Sequence, residues 1–195
     1  MNKISHKIGL FFGSFNPIHI GHLAIANYML EFTDLEKIWF VISPHNPLKS
    51  KRSLLPDYHR YEMVYKAIED DFDMNAIDIE FKMPQPSYTI DTLVRLKEKY
   101  PHHHFVVIMG GDSLESIQKW KNYKTLLNEY QIYVYKRPQA AVPETIHPHI
   151  KLFDAPQMDI SASFIRNAVK SGKNIRYFLP AKVWDYIKEM HFYEK

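Results

Sequence analysis

The sequence predicts an α/β fold built on a doubly wound parallel sheet. Short apolar runs of strand length alternate with longer amphipathic stretches of helical period. A glycine turn stands between the first run and the first amphipathic stretch, where open parallel sheets place their ligands. A later run, Phe105–Met109, also ends on glycines, Gly110 and Gly111.

In chain order, Ile8–Phe12 reads as a buried strand. Ile20–Phe32 reads as a helix offering Leu23, Ala24, Ala26 and Leu30 to the core. Ile38–Ile42 is the next strand, and the proline-rich, basic segment Ser43–Pro56 is a loop at its C-terminal end. Asp57 reads as the N-cap of a helix through Glu69, with Tyr61, Val64, Tyr65 and Ile68 at helical spacing. Alternation of Ile77, Ile79 and Phe81 predicts a half-buried strand that Met83–Pro86 breaks. Thr89–Tyr100 follows as a helix, with Ile90, Leu93, Val94 and Lys97 along successive turns. After Phe105–Met109 come a short helix, the Trp120–Tyr123 segment, a further helix and the strand Gln131–Tyr135. Pro138–His149 reads as a loop, Ile150–Phe153 as a final strand, and two helices close the chain, the last starting near Pro180. No repeat or linker interrupts this order, so the expectation is a single Rossmann-like domain over 1–195, with C-terminal helices.

Bulk properties narrow the function. A chain of 195 residues can bury about 70% of its unfolded surface and needs no disulfide or metal staple. Its 46% hydrophobic and 24% charged residues exclude a disordered chain. A net charge of +3, concentrated only at Lys49–Arg52, favours small anionic ligands over a nucleic-acid track. The absence of cysteine excludes disulfides, thiolate catalysis and cysteine-based zinc sites. Ile8–Phe12 is too short for a signal peptide, and no run approaches the roughly 20 apolar residues of a membrane span. The expectation is a soluble, cytoplasmic protein with no membrane or nucleic-acid partner; a homo-oligomer is left open.

The turn Gly13-Ser14-Phe15-Asn16-Pro17-Ile18-His19-Ile20-Gly21-His22 carries the first chemistry. Gly13 lets the backbone approach a phosphate, and free N–H groups at the helix start favour anions. His19 and His22 lie three residues apart, so they share one face and can donate to phosphoryl oxygens as charge develops. The second element is Ile160-Ser161-Ala162-Ser163-Phe164-Ile165-Arg166. Asp159 or Ser161 caps a helix there, and Arg166, three residues after Ser163, reaches the same anion pocket.

The first string resembles the G-x-F-x-P-x-H-x-G-H signature of the nucleotidylyltransferase superfamily, and fits it at every fixed position. The second resembles that superfamily's I-S-S-T-x-x-R element, which holds the ATP β- and γ-phosphates; Ala162 and Ser163 replace the second serine and the threonine. The resemblance implies His19, His22 and Arg166 as the catalytic groups. It implies Gly13, Ser14, Phe15, His19, His22, Gly111, Asp112, Ile160, Ser161, Ser163 and Arg166 as the ATP site.

Two more stretches point to the acceptor. Pro86-Ser87-Tyr88-Thr89-Ile90-Asp91-Thr92-Leu93, and Met109-Gly110-Gly111-Asp112-Ser113 followed by Lys119-Trp120 and Tyr123, resemble the bacterial-type nicotinate mononucleotide adenylyltransferases. The resemblance implies Tyr88 and Thr89 at the nicotinate end, Trp120 stacked on the pyridine and Asp112 on a ribose hydroxyl. Lys121 follows Trp120 where that family usually has a tyrosine. His45-Asn46-Pro47-Leu48-Lys49 resembles a shortened P-P-H-K loop and implies Lys49 as a phosphate ligand. Arg60, Lys136 and Arg137 are read as structural, and the run His102-His103-His104 as facing solvent.

The implied activity is adenylyl transfer from ATP to nicotinate mononucleotide, with Mg²⁺ carried in by ATP and no protein metal site. The alternatives are nicotinamide mononucleotide or phosphopantetheine as acceptor, and a nucleotide-sensing module without turnover. The phosphopantetheine enzymes typically have threonine where this chain has His19, and lack the Pro86–Leu93 stretch.

Overall fold

Strand sequences in which apolar residues occupy both faces can only be satisfied by a sheet covered on both sides. The computed structural model, which describes residues 5–44, 54–136, 147–156 and 158–194, has that arrangement. Six strands, β1 (Lys7–Gly13), β2 (Lys37–Ile42), β3 (Met74–Ile77), β4 (His104–Gly110), β5 (Gln131–Tyr135) and β6 (Ile150–Phe153), form one sheet in the order β3-β2-β1-β4-β5-β6. Every pairing is parallel. The order reverses between β1 and β4, which opens a crevice beyond their carboxyl ends.

Among the described residues, α1 (Ile20–Glu31), α2 (Asp57–Ile68), α3 (Thr89–Lys99), α4 (Gly111–Glu115) and α5 (Tyr123–Glu129) return the chain between strands, and α6 (Ala162–Lys170) and α7 (Ala181–Glu189) follow β6. Alternate strand residues sort into two cores. Phe11, Phe40, Ile42, Val106, Ile108 and Tyr133 pack with Ile25, Met29, Met63, Val64, Ile165 and Ile187 from α1, α2, α6 and α7. Ile8, Leu10, Trp39, Val41, Val107, Met109 and Val134 pack on the other face with Ile90, Leu93, Leu96 and Leu126 from α3 and α5.

Several local expectations change. The strand expected through Ile77, Ile79 and Phe81 is instead β3, Met74–Ile77, followed by a 3-10 helix over Ile79–Lys82. The alternation misleads because Glu80, one of its two polar members, is buried at 2% exposure, while Asp78 is exposed. Pro56 takes the N-cap of α2, and Asp57 lies in the first turn, where it pairs with Arg60 at 2.6 Å. On α1 the fully buried side chains are Ile25, Ala26 and Met29, while Leu23 and Leu30 lie at the margin. On α3 Leu96 is buried and Val94 is exposed. His103 turns inward onto Trp39 and Phe105, and burial lowers its pKa, whereas His102 and His104 face solvent.

Candidate active site

The strand β1 ends at Gly13, and the next residues fold back over the sheet edge before α1 begins. A Cβ on Gly13 would come within 2.7 Å of the Phe15 ring, so the turn closes only with glycine there. Phe15 sits at φ 45°, a left-handed backbone uncommon for a bulky residue. Its ring is 3% exposed and packs edge-on against Phe11 and Phe40. That anchors the turn from beneath and leaves the backbone of Phe15 as the part that can meet a ligand.

His19 is the N-cap of α1, with its side chain 5% exposed. The imidazoles of His19 and His22 lie face to face, with ring centroids 3.7 Å apart. The N–H of His19 donates to Nδ1 of His22 at 3.2 Å, so the neutral His22 ring carries its proton on Nε2 as a donor. Burial lowers the His19 pKa to about 4, so this ring is neutral at pH 7. Its Nδ1 is buried without a hydrogen-bond partner among the described residues. Gly21 makes room for this pair: a Cβ there would lie 3.1 Å from Nδ1 of His19.

The second motif closes on the first. Ser161 caps α6, its hydroxyl accepting from the Phe164 N–H at 3.1 Å. One turn on, Arg166 donates through Nη1 to the Asn16 carbonyl at 2.8 Å and through Nη2 to Ser163 Oγ at 3.1 Å. A single guanidinium thus joins the two sequence motifs, across 150 residues, and its other N–H donors are left for a ligand among the described groups. Ile160 packs against the core at the entry to this helix.

On the neighbouring strand, Gly110 stands two residues beyond the Phe11–Ile108 pair, level with Gly13. A Cβ on Gly110 would meet Asp112 Oδ1 at 2.6 Å, so the exposed carboxylate folds over a residue that must lack a side chain. Gly110 is the N-cap of α4, and the buried Gly111 begins it, so Asp112 is not the cap. Tyr88 is the N-cap of α3 and Thr89 its first residue, both half-buried. Trp120 packs half-buried against the second core. Lys121 ties these segments together: its Nζ lies 2.8 Å from Asp91 Oδ2 and 4.9 Å from the centre of the Tyr88 ring. Lys49 lies outside the described residues.

Three supporting residues have no motif to announce them. Arg60, fully buried, donates to the carbonyls of Ser14, Ser43, Pro44 and Leu55 at 2.6, 2.9, 3.2 and 3.0 Å. It therefore fixes the ends of β1 and β2 together, a structural role. Tyr193 reaches the same turn from the far end of the chain, donating to Asn16 Oδ1 at 2.8 Å. Glu80 accepts from Ser87 Oγ at 2.6 Å and Thr92 Oγ1 at 2.8 Å, and is also bonded by the Ser43 side chain. A charged residue between two apolar ones looks solvent-facing in sequence, and nothing local signals its burial.

The groups that converge here are mostly donors: imidazole, guanidinium, hydroxyl and helix N–H. Such a set fits phosphate oxygens. Among the described residues no three His, Asp or Glu side chains stand together as a metal site.

Comparison with known proteins gives the family and the fold. A cytidylyltransferase-like family profile matches residues 10–168. A Flavobacterium johnsoniae protein named "Probable nicotinate-nucleotide adenylyltransferase" is 55% identical over 193 residues, covering 97% of this chain and 100% of that one. Its namesake from Flavobacterium psychrophilum is 50% identical over 192 residues, with 97% and 100% covered. Among solved structures, the Plasmodium falciparum nicotinic acid mononucleotide adenylyltransferase complexed with NaAD superposes with a TM-score of 0.82. It is 24% identical, with 97% of this chain and 98% of that one covered, a likeness that carries the fold.

Proposed function

Because the chain belongs to the cytidylyltransferase-like family and, within it, to the nicotinate-nucleotide adenylyltransferases, we propose that it transfers the adenylyl group of ATP to nicotinate mononucleotide, releasing pyrophosphate. The product is nicotinate adenine dinucleotide, a precursor in NAD biosynthesis. The observation that carries the site assignment is the Arg166 guanidinium, which gathers Asn16 of the first motif and Ser163 of the second around one pocket.

The acceptor phosphate is already anionic near neutral pH, its second pKa being about 6. One of its oxygens forms a bond to the α-phosphorus of ATP as the bond from that phosphorus to the β-phosphate's bridging oxygen breaks. No general base is needed, and catalysis is positioning plus charge stabilisation. His22 donates from Nε2, and His19, kept neutral by burial, donates without bringing a full charge. Arg166 supplies the formal positive charge, and Ser161 and Ser163 complete the cradle for the β- and γ-phosphates. The backbone at Gly13, Ser14 and Phe15 approaches the phosphates, and Asp112 accepts from a ribose hydroxyl. Thr89 and Tyr88 meet the nicotinate end, Trp120 stacks on the pyridine, and Lys49 takes the remaining phosphate charge. ATP enters as its Mg²⁺ complex, the metal neutralising phosphate charge. No helix among the described residues is long and apolar enough to cross a membrane, and the nucleotide substrates favour the cytoplasm.

Pyrophosphate release from Mg-ATP, with nicotinate mononucleotide, nicotinamide mononucleotide and phosphopantetheine in parallel, tests this. Strong preference for the first is expected. Preference for another acceptor overturns the substrate, and silence with all three overturns the enzyme.

A further inference from the structure

Glu80 is a carboxyl group buried without a cationic partner among the described residues. At 2% exposure it is held by hydroxyl donors alone: Ser87 Oγ on Oε2, Thr92 Oγ1 on Oε1, and the Ser43 side chain. Burying a carboxylate this way is costly, and an apolar residue would fill the space at less cost. Its burial therefore has to serve geometry.

The bonded hydroxyls flank the acceptor segment. Ser87 directly precedes Tyr88 and Thr89, and Thr92 follows them by one turn, its hydroxyl also 3.2 Å from the Tyr88 carbonyl. The third hydroxyl, on Ser43, leads to the other substrate. The N–H of Ser43 donates to the Gly13 carbonyl at 2.9 Å, and its carbonyl accepts from Arg60, which also holds the Ser14 carbonyl. One carboxyl thus stands between the segment carrying Tyr88 and Thr89 and the turn carrying Gly13 and Ser14.

We propose that Glu80 is a positioning residue that sets the acceptor segment in register with the phosphate turn. The inference rests on the function proposed above. It touches neither nucleotide; it fixes the distance between the two sites, on which in-line attack depends. Burial raises the carboxyl pKa on balance, and the three hydroxyl donors oppose that rise, because each favours the acceptor-only form.

Glu80→Gln keeps the shape but replaces one acceptor oxygen with a donor NH₂. Thr92→Val removes one of the bonded hydroxyls, and Thr92→Ser keeps it. Dissociation constants for nicotinate mononucleotide and for ATP, each by titration calorimetry, are read beside kcat and the thermal midpoint. The expected result is nicotinate mononucleotide binding weakened about tenfold in Glu80→Gln with ATP binding within about twofold of wild type, and a lower kcat. Thr92→Val should show the same split in smaller measure, and Thr92→Ser should restore it. Equal weakening for both nucleotides, a fall in thermal midpoint alone, or no difference between the two Thr92 variants overturns the inference. If Glu80→Gln does not fold, the Thr92 pair decides. A wild type that binds nicotinate mononucleotide without turnover overturns the proposed function, and the Glu80 inference then stands or falls on the dissociation constants.

Discussion

The Tyr193 hydroxyl donates to Oδ1 of Asn16 at 2.8 Å, joining the segment after α7 to the turn after β1 across 177 residues. The same asparagine accepts Arg166 on its carbonyl and the Leu55 N–H on its side chain. Burial raises the Tyr193 phenol well above its usual pKa, against a smaller opposing pull from Arg166 and Arg60. A neutral phenol, two guanidinium groups and one buried asparagine therefore hold the backbone of the phosphate turn from behind.

Removing that hydroxyl by Tyr193→Phe should cost about 1 kcal/mol, the net worth of one hydrogen bond. In a chain of this size that lowers the thermal midpoint by about 2–4 °C. With the turn at ATP, as proposed, KM for ATP should rise severalfold while that for the acceptor stays near wild type. An unchanged KM for ATP would remove Tyr193 from the support of the turn.

Gly21→Ala separates stability from activity. The added Cβ lies 3.1 Å from Nδ1 and 3.2 Å from Cε1 of His19, so the ring must shift by a few tenths of an ångström. Alanine is favoured over glycine in a helix by about 1 kcal/mol, so the fold should be as stable as before or more so. Turnover should fall about tenfold or more through the displaced imidazole. A variant that is both stable and fully active would show that the face-to-face placement of His19 and His22 is unimportant.

His22→Ala should leave the fold intact, by circular dichroism, while removing about 10²–10³-fold of turnover, the usual effect of losing one transition-state donor. Loss of the acceptor for the His19 N–H costs about 1 kcal/mol in addition, as for a helix cap. Near-wild-type turnover would exclude His22 from the chemistry.

Much of this was readable because strand and helix periods differ, and because the motifs are local. The strands at Ile8–Phe12, Ile38–Ile42 and Gln131–Tyr135 lie within one residue of, or coincide with, the observed ends. The Ser161 cap was one of two expected candidates. What failed to show were residues whose roles come from distant partners. Nothing near Glu80 in sequence distinguishes it from a surface carboxylate, because the hydroxyls of Ser43, Ser87 and Thr92 reach it only in the folded chain. Tyr193 and Asn16 are separated by most of the protein. Lys121, conspicuous as a departure beside Trp120, is explained by Asp91 and the Tyr88 ring, which hold it against the start of α3.

The buried His19 ring makes stability depend on pH in a defined window. Its folded-state pKa is about 4 against 6.5 for an unhindered histidine. Between those values the unfolded chain binds a proton that the folded chain refuses, so stability falls as pH drops through the window and is fully present above 6.5. The slope approaches about 1.4 kcal/mol per pH unit in the middle of the range. His59 and His103 also have lowered pKa values through burial, but they contribute equally to wild type and variant. His19→Asn, which lacks the titrating ring, should therefore show a shallower fall in thermal midpoint from pH 6.5 to 4.5. Above pH 7 the two curves should run parallel. Equal slopes through the acid range would mean that His19 is accessible to protons in the folded state, and the neutral donor assigned to it in catalysis would have to be given up.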